Sequence, residues 1–219
     1  VGVELERMTP VEGLPDLVFT ANAGVTHDGK TVISRFRHPE RQGEEEHFKR
    51  WFTEHNYSVI PLGGKSYFEG AGDLLGFADT WFGGYRQRSD IAAYAALSEI
   101  YGKEILPLEL INDKFYHLDT CFCPLSGGEL LYYPSAFDSY AQDVIASRVE
   151  EHRRLTVPQF EAERFACNAV CVDRHVVLPS GCGETMDLLK HHGYTTHPVK
   201  LDEFFKSGGS AKCLTLALD

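Results

Sequence analysis

The sequence predicts an α/β fold made of five copies of one ββαβ unit arranged around a common centre. An isolated polar residue follows an apolar or aromatic lead-in at five places: Asn22, Glu69, His117, Asn168 and Cys213. The successive separations are 47, 48, 51 and 45 residues. A nearly constant period in this range is typical of repeat architectures, in which each repeat is one supersecondary unit. We therefore expect each unit to contribute one polar residue to the centre.

The first complete unit has the order strand, strand, helix, strand. Two apolar runs in residues 17–35 flank Asp28-Gly29, and Asp-Gly between such runs is a strong hairpin signal. Residues 38–56 carry three aromatic side chains at helical spacing, which predicts a helix with one buried face. Residues 57–62 predict the closing strand.

The same order recurs in the next three units, with turn residues between the first two strands of each. Gly193 directly follows the helical pattern of the fourth unit, as a C-terminal capping glycine does. The predicted hairpin, helix and last strand are residues 67–84, 89–101 and 105–110 in the second unit, 115–134, 137–153 and 155–157 in the third, and 165–179, 184–192 and a strand ending at 201 in the fourth.

The two ends of the chain predict one strand each. Residues 1–6 alternate between apolar and other residues, and residues 210–219 read as a single strand. We expect both strands to belong to one blade that the two chain ends close, so that the first blade is incomplete in this chain. About 45 further residues, the length of one unit, are then expected upstream. Residues 1–219 should form a single catalytic domain.

The composition limits the classes of partner. A chain of 219 residues with 43% hydrophobic residues can bury one sizeable core. Its 21 basic and 32 acidic residues give a net charge of −11, which argues against nucleic acid or an anionic membrane and favours a cationic ligand. The sequence lacks the run of about 18 apolar residues that a membrane span needs. The oligomeric state, including a homo-oligomer, stays open.

The six cysteines are expected to be free, buried thiols of a cytoplasmic protein, because no secretory context accompanies them. A zinc site at His117, Cys121 and Cys123 is an alternative. A C-x-C pair with one nearby histidine lacks the second paired half of usual zinc sites, so no metal is expected.

Three of the repeat-matched residues form a set that can do chemistry. A cysteine with a histidine and a carboxylate is the arrangement that activates a thiolate and transfers protons, which makes Cys213, His117 and Glu69 the candidates. The plainer interpretations are a small buried hydrophobe for Cys213 and a core histidine for His117. Glu69 between apolar and small residues is costly to bury without a cationic partner.

Further acceptors around the same centre indicate the kind of ligand. Asp73, Asp119 and Asn22 add oxygen atoms, and several carboxylates without a metal-type pattern suit a planar cation with many donors, such as guanidinium. Arg41 and Arg88 occupy matching positions 47 residues apart. They are either ordinary surface charges or a pair that holds a carboxylate through bidentate bonds.

Seven segments resemble the guanidine-modifying amidinotransferase and deiminase superfamily, and within it most resemble the cyanobacterial-type arginine dihydrolases. The segments are LPDLVFTANAG, SRFRHPERQGEEEHFKRWF, FEGAGDLL, FYHLDTCFCPL, LLYYPSAFDSY, FACNAV and GGSAKCLTLAL. The resemblance runs from about residue 14 to residue 218. It implies the five-bladed α/β propeller of this superfamily, called the pentein fold.

The resemblance also implies residue roles and a reaction. Cys213 is implied to be the nucleophile and His117 the general acid and base. Glu69 and Asp119 are implied to bind the guanidinium group, and Arg41 and Arg88 to hold the carboxylate of the substrate. Asn22 matches the position at which deiminases carry aspartate, and Asp73 matches a position without a settled role. The implied reaction hydrolyses the guanidinium group of arginine through a covalent S-amidino intermediate, without a cofactor. It gives ornithine, carbon dioxide and two ammonia.

Other activities remain open at this point. An arginine deiminase or a dimethylargininase would give citrulline, and an amidinotransferase would pass the amidino group to an amine. The two arginines disfavour agmatine, which has no carboxylate. A ribosome-associated factor of similar fold is a non-enzymatic alternative, although the combination of Cys213, His117 and Glu69 argues against it.

Overall fold

The computed structural model describes residues 2–218 and contains four three-stranded sheets of identical topology. In each sheet the first two strands pair antiparallel, and the third pairs parallel to the second. The strands are β1 Gly24–His27, β2 Lys30–Ile33 and β3 Ser58–Val59, then β4 Leu74–Phe77, β5 Thr80–Tyr85 and β6 Glu104–Glu109, then β7 Phe122–Pro124, β8 Leu130–Tyr132 and β9 Arg154–Thr156, then β10 Val170–Val172, β11 His175–Pro179 and β12 Thr195–Val199.

A helix connects the second strand of each sheet to the third, because parallel neighbours need a crossover connection. The helices are α1 Pro39–Gln42, α2 Glu45–Glu54, α3 Ala93–Tyr101, α4 Ser139–Arg148, α5 Gln159–Ala162, α6 Gly183–His191 and α7 Asp202–Lys206. The crossover helices are α2, α3, α4 and α6. Of the shorter ones, α1 precedes α2 in the first crossover, and α5 and α7 follow the third and fourth sheets. The predicted ββαβ order is confirmed in all four units.

Local sequence explains the hairpins. The loop between β1 and β2 is Asp28-Gly29, and both residues have positive φ (51° and 67°), which matches the twist of the flanking strands. The second and fourth hairpins also have two-residue loops, which begin at Ala78 and Asp173 with φ of 49° in each. The predicted turns are therefore at the expected places.

The helix predicted over residues 38–56 is divided in two. Pro39 begins α1, and Gly43 follows its last residue, where glycine is unfavourable for continuing a helix. Beyond it, α2 buries Phe48 and Phe52 against the first sheet, each about 1% exposed. The buried aromatic face was predicted correctly, and the boundaries were not.

The predictions for the chain ends were wrong for the described residues. Residues 2–10 have no regular structure, residues 211–214 form a turn, and residues 215–218 are irregular. A strand needs a partner for its backbone groups. Here the Leu214 and Ala217 carbonyls accept from the hydroxyl groups of Thr20 and Thr26 instead. Val1 and Asp219, which also fell in the predicted strands, lie outside the described residues.

The first strands of successive units lie side by side, since β4 contacts β7 and β7 contacts β10. Their apolar side chains and the crossover helices form the main core, with Phe82, Phe122 and Phe137 at 1% exposure or less. All six cysteines are free, as expected, and five of them are buried. Within residues 2–218, no helix combines the length and the apolar character that crossing a membrane requires.

Candidate active site

Three of the predicted site residues lie in, or directly before, short 3-10 turns that precede the first strand of their units. Asn22 lies in the turn Thr20–Ala23, Glu69 directly precedes Gly70–Gly72, and His117 directly precedes Leu118–Thr120. The predicted strand around His117 and Asp119 was therefore wrong, because the backbone coils there before β7 begins. The repeat still brings these turns together, since each precedes the innermost strand of its unit.

Hydrogen bonds link the turns of the first three units. The Asn22 Nδ2 group donates to the Glu69 carbonyl oxygen at 2.9 Å. The Glu69 side chain reaches the next turn, where its Oε2 lies 2.7 Å from His117 Nε2. All three side chains are buried. The Glu69 carboxylate thus links the turn of the second unit to the turn of the third unit, which carries His117.

The remaining turns complete the circuit. Asn168 Nδ2 donates to the Asp119 carbonyl oxygen at 3.1 Å, and Asn168 Oδ1 accepts from the Cys213 backbone N–H at 3.2 Å. The Cys213 carbonyl oxygen in turn accepts from the Ala21 N–H at 3.1 Å, next to the first turn. The five repeat-matched residues therefore surround one buried centre.

Glu69 and His117 form a buried ion pair. Burial opposes ionisation of Glu69, but the hydrogen bond and charge of His117, with the charge of Arg88, lower its pKa to about 2. Burial likewise disfavours the imidazolium form of His117, yet Asp73 and Glu69 raise its pKa above the ordinary value. A protonated imidazole beside an ionised carboxylate is a proton donor held inside the protein.

The Cys213 sulfur lies between an amide and a carboxylate. Asn168 Nδ2 is 3.1 Å from Sγ, and Asp119 Oδ2 is 3.6 Å from it. Burial and the Asp119 charge raise the pKa of the Cys213 thiol well above its ordinary value. Burial raises the pKa of Asp119 as well, although Lys212 and His117 oppose the change. These surroundings favour the neutral thiol of Cys213 at rest. A cation bound nearby would favour the thiolate.

Asp73 was predicted to bind a ligand, but the structure directs its oxygens to protein groups. Oδ2 accepts from the Ser89 hydroxyl at 2.6 Å, and Oδ1 accepts from the Leu118 N–H at 3.1 Å. Burial raises its pKa to about 6. Asp73 thus connects the second unit to the turn that follows His117. Its negative charge also helps to raise the pKa of the His117 imidazole.

Arg41, predicted as a carboxylate clamp, is hydrogen-bonded to protein groups in this structure. Its Nε and Nη2 atoms form two bonds of 3.0 and 2.8 Å with the Glu44 carboxylate, and its Nη1 donates to Asn22 Oδ1 at 3.0 Å. Arg41 and Glu44 are both buried. The guanidinium group therefore sets which end of the Asn22 amide faces it.

Arg88, the second predicted clamp, lies at the outer edge of the centre. Its Nη1 is 3.3 Å from Glu69 Oε2, and its guanidinium group lies over the Tyr116 ring at 4.7 Å from the ring centroid. The Tyr116 hydroxyl donates to the Gly208 carbonyl oxygen in the loop before Cys213. With a side chain 22% exposed, Arg88 is placed to meet a ligand that enters from solvent.

Sequence reasoning did not assign a role to three residues that shape the centre. Asn168 was found only as a member of the repeat, Ser89 was taken as the start of a helix, and Glu44 belongs to a run of three glutamates. Such a run indicates a solvated helix surface, yet Glu44 is 1% exposed. A carboxylate three residues after a buried arginine on the same helical segment is the signal that could have identified Glu44.

The zinc alternative finds no support in the geometry. The Cys121 thiol donates to the Leu118 carbonyl at 3.5 Å, and the Cys123 thiol donates to the Ala169 carbonyl at 3.4 Å. Burial raises the pKa of Cys123 to about 12. Among residues 2–218, no three histidine, cysteine or acidic side chains are grouped so that they could hold a metal ion.

A cavity of about 760 Å³ lies elsewhere, between the N-terminal segment and the C-terminal residues. Its lining is mainly apolar and includes Leu5, Phe52 and Leu216, with Lys212 among the few charged side chains. None of the predicted site residues lines it. The polar centre, and not this cavity, holds the groups that can do chemistry.

Known proteins are similar to this chain in sequence and in fold. Residues 1–218 match the family of eukaryotic N,N dimethylarginine dimethylhydrolases. The bifunctional arginine dihydrolase/ornithine cyclodeaminase AgrE of Nostoc sp. is 46% identical over 214 residues, which make up 97% of this chain and 30% of that protein. The chain thus spans well under half of that relative. The N(G),N(G)-dimethylarginine dimethylaminohydrolase of Mycobacterium tuberculosis is 35% identical over 218 residues, covering 100% of this chain and 71% of that protein.

Two solved structures show the N-terminal domain of ArgZ, an arginine dihydrolase from the ornithine-ammonia cycle in cyanobacteria. Each is 44% identical, has a TM-score of 0.93, and covers 94% of this chain and 77% of that chain. One is bound to substrate, and the other is covalently bound to a reaction intermediate. The predicted α/β repeat fold is therefore confirmed.

Proposed function

Because the chain belongs to the N,N dimethylarginine dimethylhydrolase family, we propose that it hydrolyses the guanidinium group of arginine to ornithine, carbon dioxide and two ammonia. One observation carries the proposal. A buried cysteine thiol lies beside the carboxylate of Asp119, in the same closed ring of turns as the His117–Glu69 ion pair. This arrangement supplies a nucleophile, a proton donor and anionic groups around one centre.

The centre suits a planar cation. An arginine guanidinium group presents five N–H donors in a fixed plane, and carboxylates are its preferred acceptors. Glu69 and Asp119 belong to neighbouring turns and are both buried. Burial raises the pKa of Asp119 although Lys212 and His117 oppose the change, so a cation bound beside this carboxylate adds a further stabilising charge.

Cys213 is the proposed nucleophile. The positive charge of a bound guanidinium opposes the effect of Asp119 on the resting thiol and favours the thiolate, and the thiol proton passes to solvent as the substrate binds. The thiolate attacks the central carbon, and the His117 imidazolium protonates the leaving nitrogen, so that ammonia departs and an S-amidino adduct remains. His117 then accepts a proton from water, which attacks the adduct and releases citrulline. The covalent intermediate of the similar ArgZ domain supports this route.

Asn22 is the proposed reason that citrulline reacts again. One amide hydrogen of Asn22 is used by the Glu69 carbonyl, which leaves the second for the neutral ureido oxygen of citrulline. A second attack by Cys213 expels the second ammonia and leaves a thiocarbamate. Its hydrolysis gives the N-carboxy derivative of ornithine, which loses carbon dioxide. The carboxylate of the substrate is assigned to Arg88, which reaches the edge of the site.

Dimethylarginine is a second candidate substrate, favoured by the family match and by the relative from M. tuberculosis. The polar surroundings favour arginine over it. Two methyl groups remove two N–H donors from one guanidinium nitrogen. Acceptors in a buried site that lose their donors are costly, at about 1–3 kcal/mol each.

Product analysis tests the proposal. The 219-residue chain is incubated with arginine carrying carbon-13 in the guanidino group, and ornithine, citrulline, ammonia and labelled carbon dioxide are quantified. Two ammonia and one labelled carbon dioxide per ornithine support dihydrolysis. One ammonia per citrulline, with no ornithine, would show that the second hydrolysis does not occur. Release of dimethylamine from dimethylarginine, with arginine unreacted, favours the second candidate, and guanidinoacetate formed on adding glycine identifies a transferase.

A further inference from the structure

Asn168 uses both amide hydrogens and its carbonyl oxygen in hydrogen bonds around Cys213. It is 0% exposed, and its Oδ1 accepts from the Cys213 backbone N–H at 3.2 Å. Its two Nδ2 hydrogens are directed to the Asp119 carbonyl oxygen and to the Cys213 sulfur, both at 3.1 Å. One side chain thus contacts the backbone and the reacting atom of the same cysteine.

The orientation of this amide is determined by its neighbours. A backbone N–H can only donate, so the atom of Asn168 that faces the Cys213 N–H must be the carbonyl oxygen. The amide nitrogen is then directed to the sulfur and to the Asp119 carbonyl, which can accept. The reverse orientation would place two donors against each other at one end and two oxygens at the other.

We propose that Asn168 is a catalytic residue whose amide donates a hydrogen bond to the Cys213 thiolate as the thiolate forms. The inference rests on the proposed function, in which that thiolate attacks the substrate. At rest the sulfur lies 3.6 Å from Asp119 Oδ2 and the thiol can donate to that carboxylate. Once the proton is lost, the carboxylate repels the sulfur, and the Asn168 N–H at 3.1 Å becomes a charge-assisted bond.

A neutral donor is better suited to this position than a charged one. An arginine or lysine against the sulfur would also stabilise the thiolate, but it would repel a guanidinium substrate that must lie within reach of the same atom. An amide stabilises the anion while it leaves the negative charge of Glu69 and Asp119 available to the substrate.

The size of the effect follows from the type of bond. A hydrogen bond to a charged group contributes about 10- to 100-fold to an equilibrium. In Asn168→Ala we expect kcat/KM for arginine to fall by about that factor. The fraction of Cys213 present as thiolate should also fall by about that factor. A more basic thiolate is a better nucleophile, which partly offsets this loss. Alkylation of Cys213 should therefore slow by about 3- to 10-fold at pH values below the midpoint of its titration.

The experiment measures Cys213 directly and does not depend on turnover. Iodoacetamide alkylation of the full chain is followed between pH 6 and 10 by mass spectrometry of the peptide that contains Cys213, which separates it from the other thiols. Thermal melting reports folding. Asn112→Ala is the matched control, because the half-buried Asn112 side chain bonds locally, to the Lys114 N–H, and lies outside the centre. This control should keep the alkylation profile, kcat/KM and melting temperature of the unaltered chain.

The expected result is alkylation of Asn168→Ala that is about 3- to 10-fold slower than in the unaltered chain at each pH of this range, which lies below the raised midpoint of Cys213. A lower melting temperature with an unchanged profile would overturn the inference, because it indicates a purely structural role. If Asn168→Ala does not fold, the same measurement on Asn168→Ser decides, since a short hydroxyl cannot reach both the sulfur and the Cys213 N–H. Slower alkylation in a chain that leaves arginine unreacted would keep the Asn168 contact and reject the proposed function.

Discussion

Replacement of Asn22 by aspartate should change the product from ornithine toward citrulline. Asn22 Oδ1 accepts from Arg41 Nη1 at 3.0 Å, and its Nδ2 donates to the Glu69 carbonyl at 2.9 Å. Aspartate has almost the same shape and keeps the bond to Arg41. At the other end it places a carboxylate oxygen against a carbonyl oxygen and removes the hydrogen that we assign to the ureido group.

The structure allows the magnitude to be worked out. In Asn22→Asp, the buried Glu69 carbonyl loses its donor, which costs about 1–3 kcal/mol of stability. For a chain of this size, such a loss lowers the melting temperature by about 2–10 °C. Loss of the donor to the ureido oxygen removes a similar amount, about 1–3 kcal/mol, from the second hydrolysis alone. That difference corresponds to about 5- to 150-fold in the rate of ornithine formation from citrulline.

The assay compares citrulline and ornithine over a time course with arginine, for the unaltered chain, Asn22→Asp and Asn112→Asp. The last is the control, because the same chemical change there lies outside the centre, where aspartate can still accept from the Lys114 N–H. Citrulline supplied directly as substrate isolates the second hydrolysis. We expect Asn22→Asp to accumulate citrulline, and the control to keep the unaltered product ratio.

One result would refute the reasoning. A folded Asn22→Asp variant that converts citrulline to ornithine at the unaltered rate would show that the amide hydrogen of Asn22 has no part in the second hydrolysis. A lower melting temperature alone would support only the bond to Glu69.

Three further changes test the centre. Cys213→Ala should keep the melting temperature and leave less than about one per cent of turnover, because loss of a covalent catalyst usually costs several powers of ten; greater residual turnover of arginine rejects the nucleophile. The ion pair of Glu69 and His117 should stabilise the fold most between pH 4.5 and 6.5, their ordinary pKa values. This contribution is lost as the pH falls through the lowered pKa of Glu69, about 2, and as the pH rises through the raised pKa of His117. The difference in melting temperature between the unaltered chain and His117→Asn should therefore shrink on both sides of this range. A difference that does not change with pH contradicts the pairing. Glu44→Gln leaves the buried guanidinium group of Arg41 without its counter-charge and should lower the free energy of unfolding in urea by about 3 kcal/mol. Glu46→Gln, at an exposed position, should have little effect. Equal stability of the two variants contradicts this account.

Much of the architecture could be predicted because it depends on neighbouring residues. The positive φ values at Asp28 and Gly29 follow from residue types that tolerate them, and the buried face of α2 follows from the spacing of its aromatic residues. The period of 45 to 51 residues indicated which polar residues meet, because equivalent positions of a repeat occupy equivalent places around its centre.

What the tertiary structure decided concerns residues distant in sequence. The hairpin predicted over residues 115–134 placed His117 on a strand, but a turn forms there. Asp73 holds that turn by accepting a hydrogen bond from the N–H of Leu118, 45 residues away. Glu44 resembles its solvated neighbours until Arg41 is seen bonded both to Glu44 and to Asn22, which is 19 residues from Arg41. A hydrogen bond between separate units depends on how those units pack, and no local pattern records its geometry. The identity of the candidate residues was therefore accessible from the sequence, whereas their partners, protonation and orientation were determined by the fold.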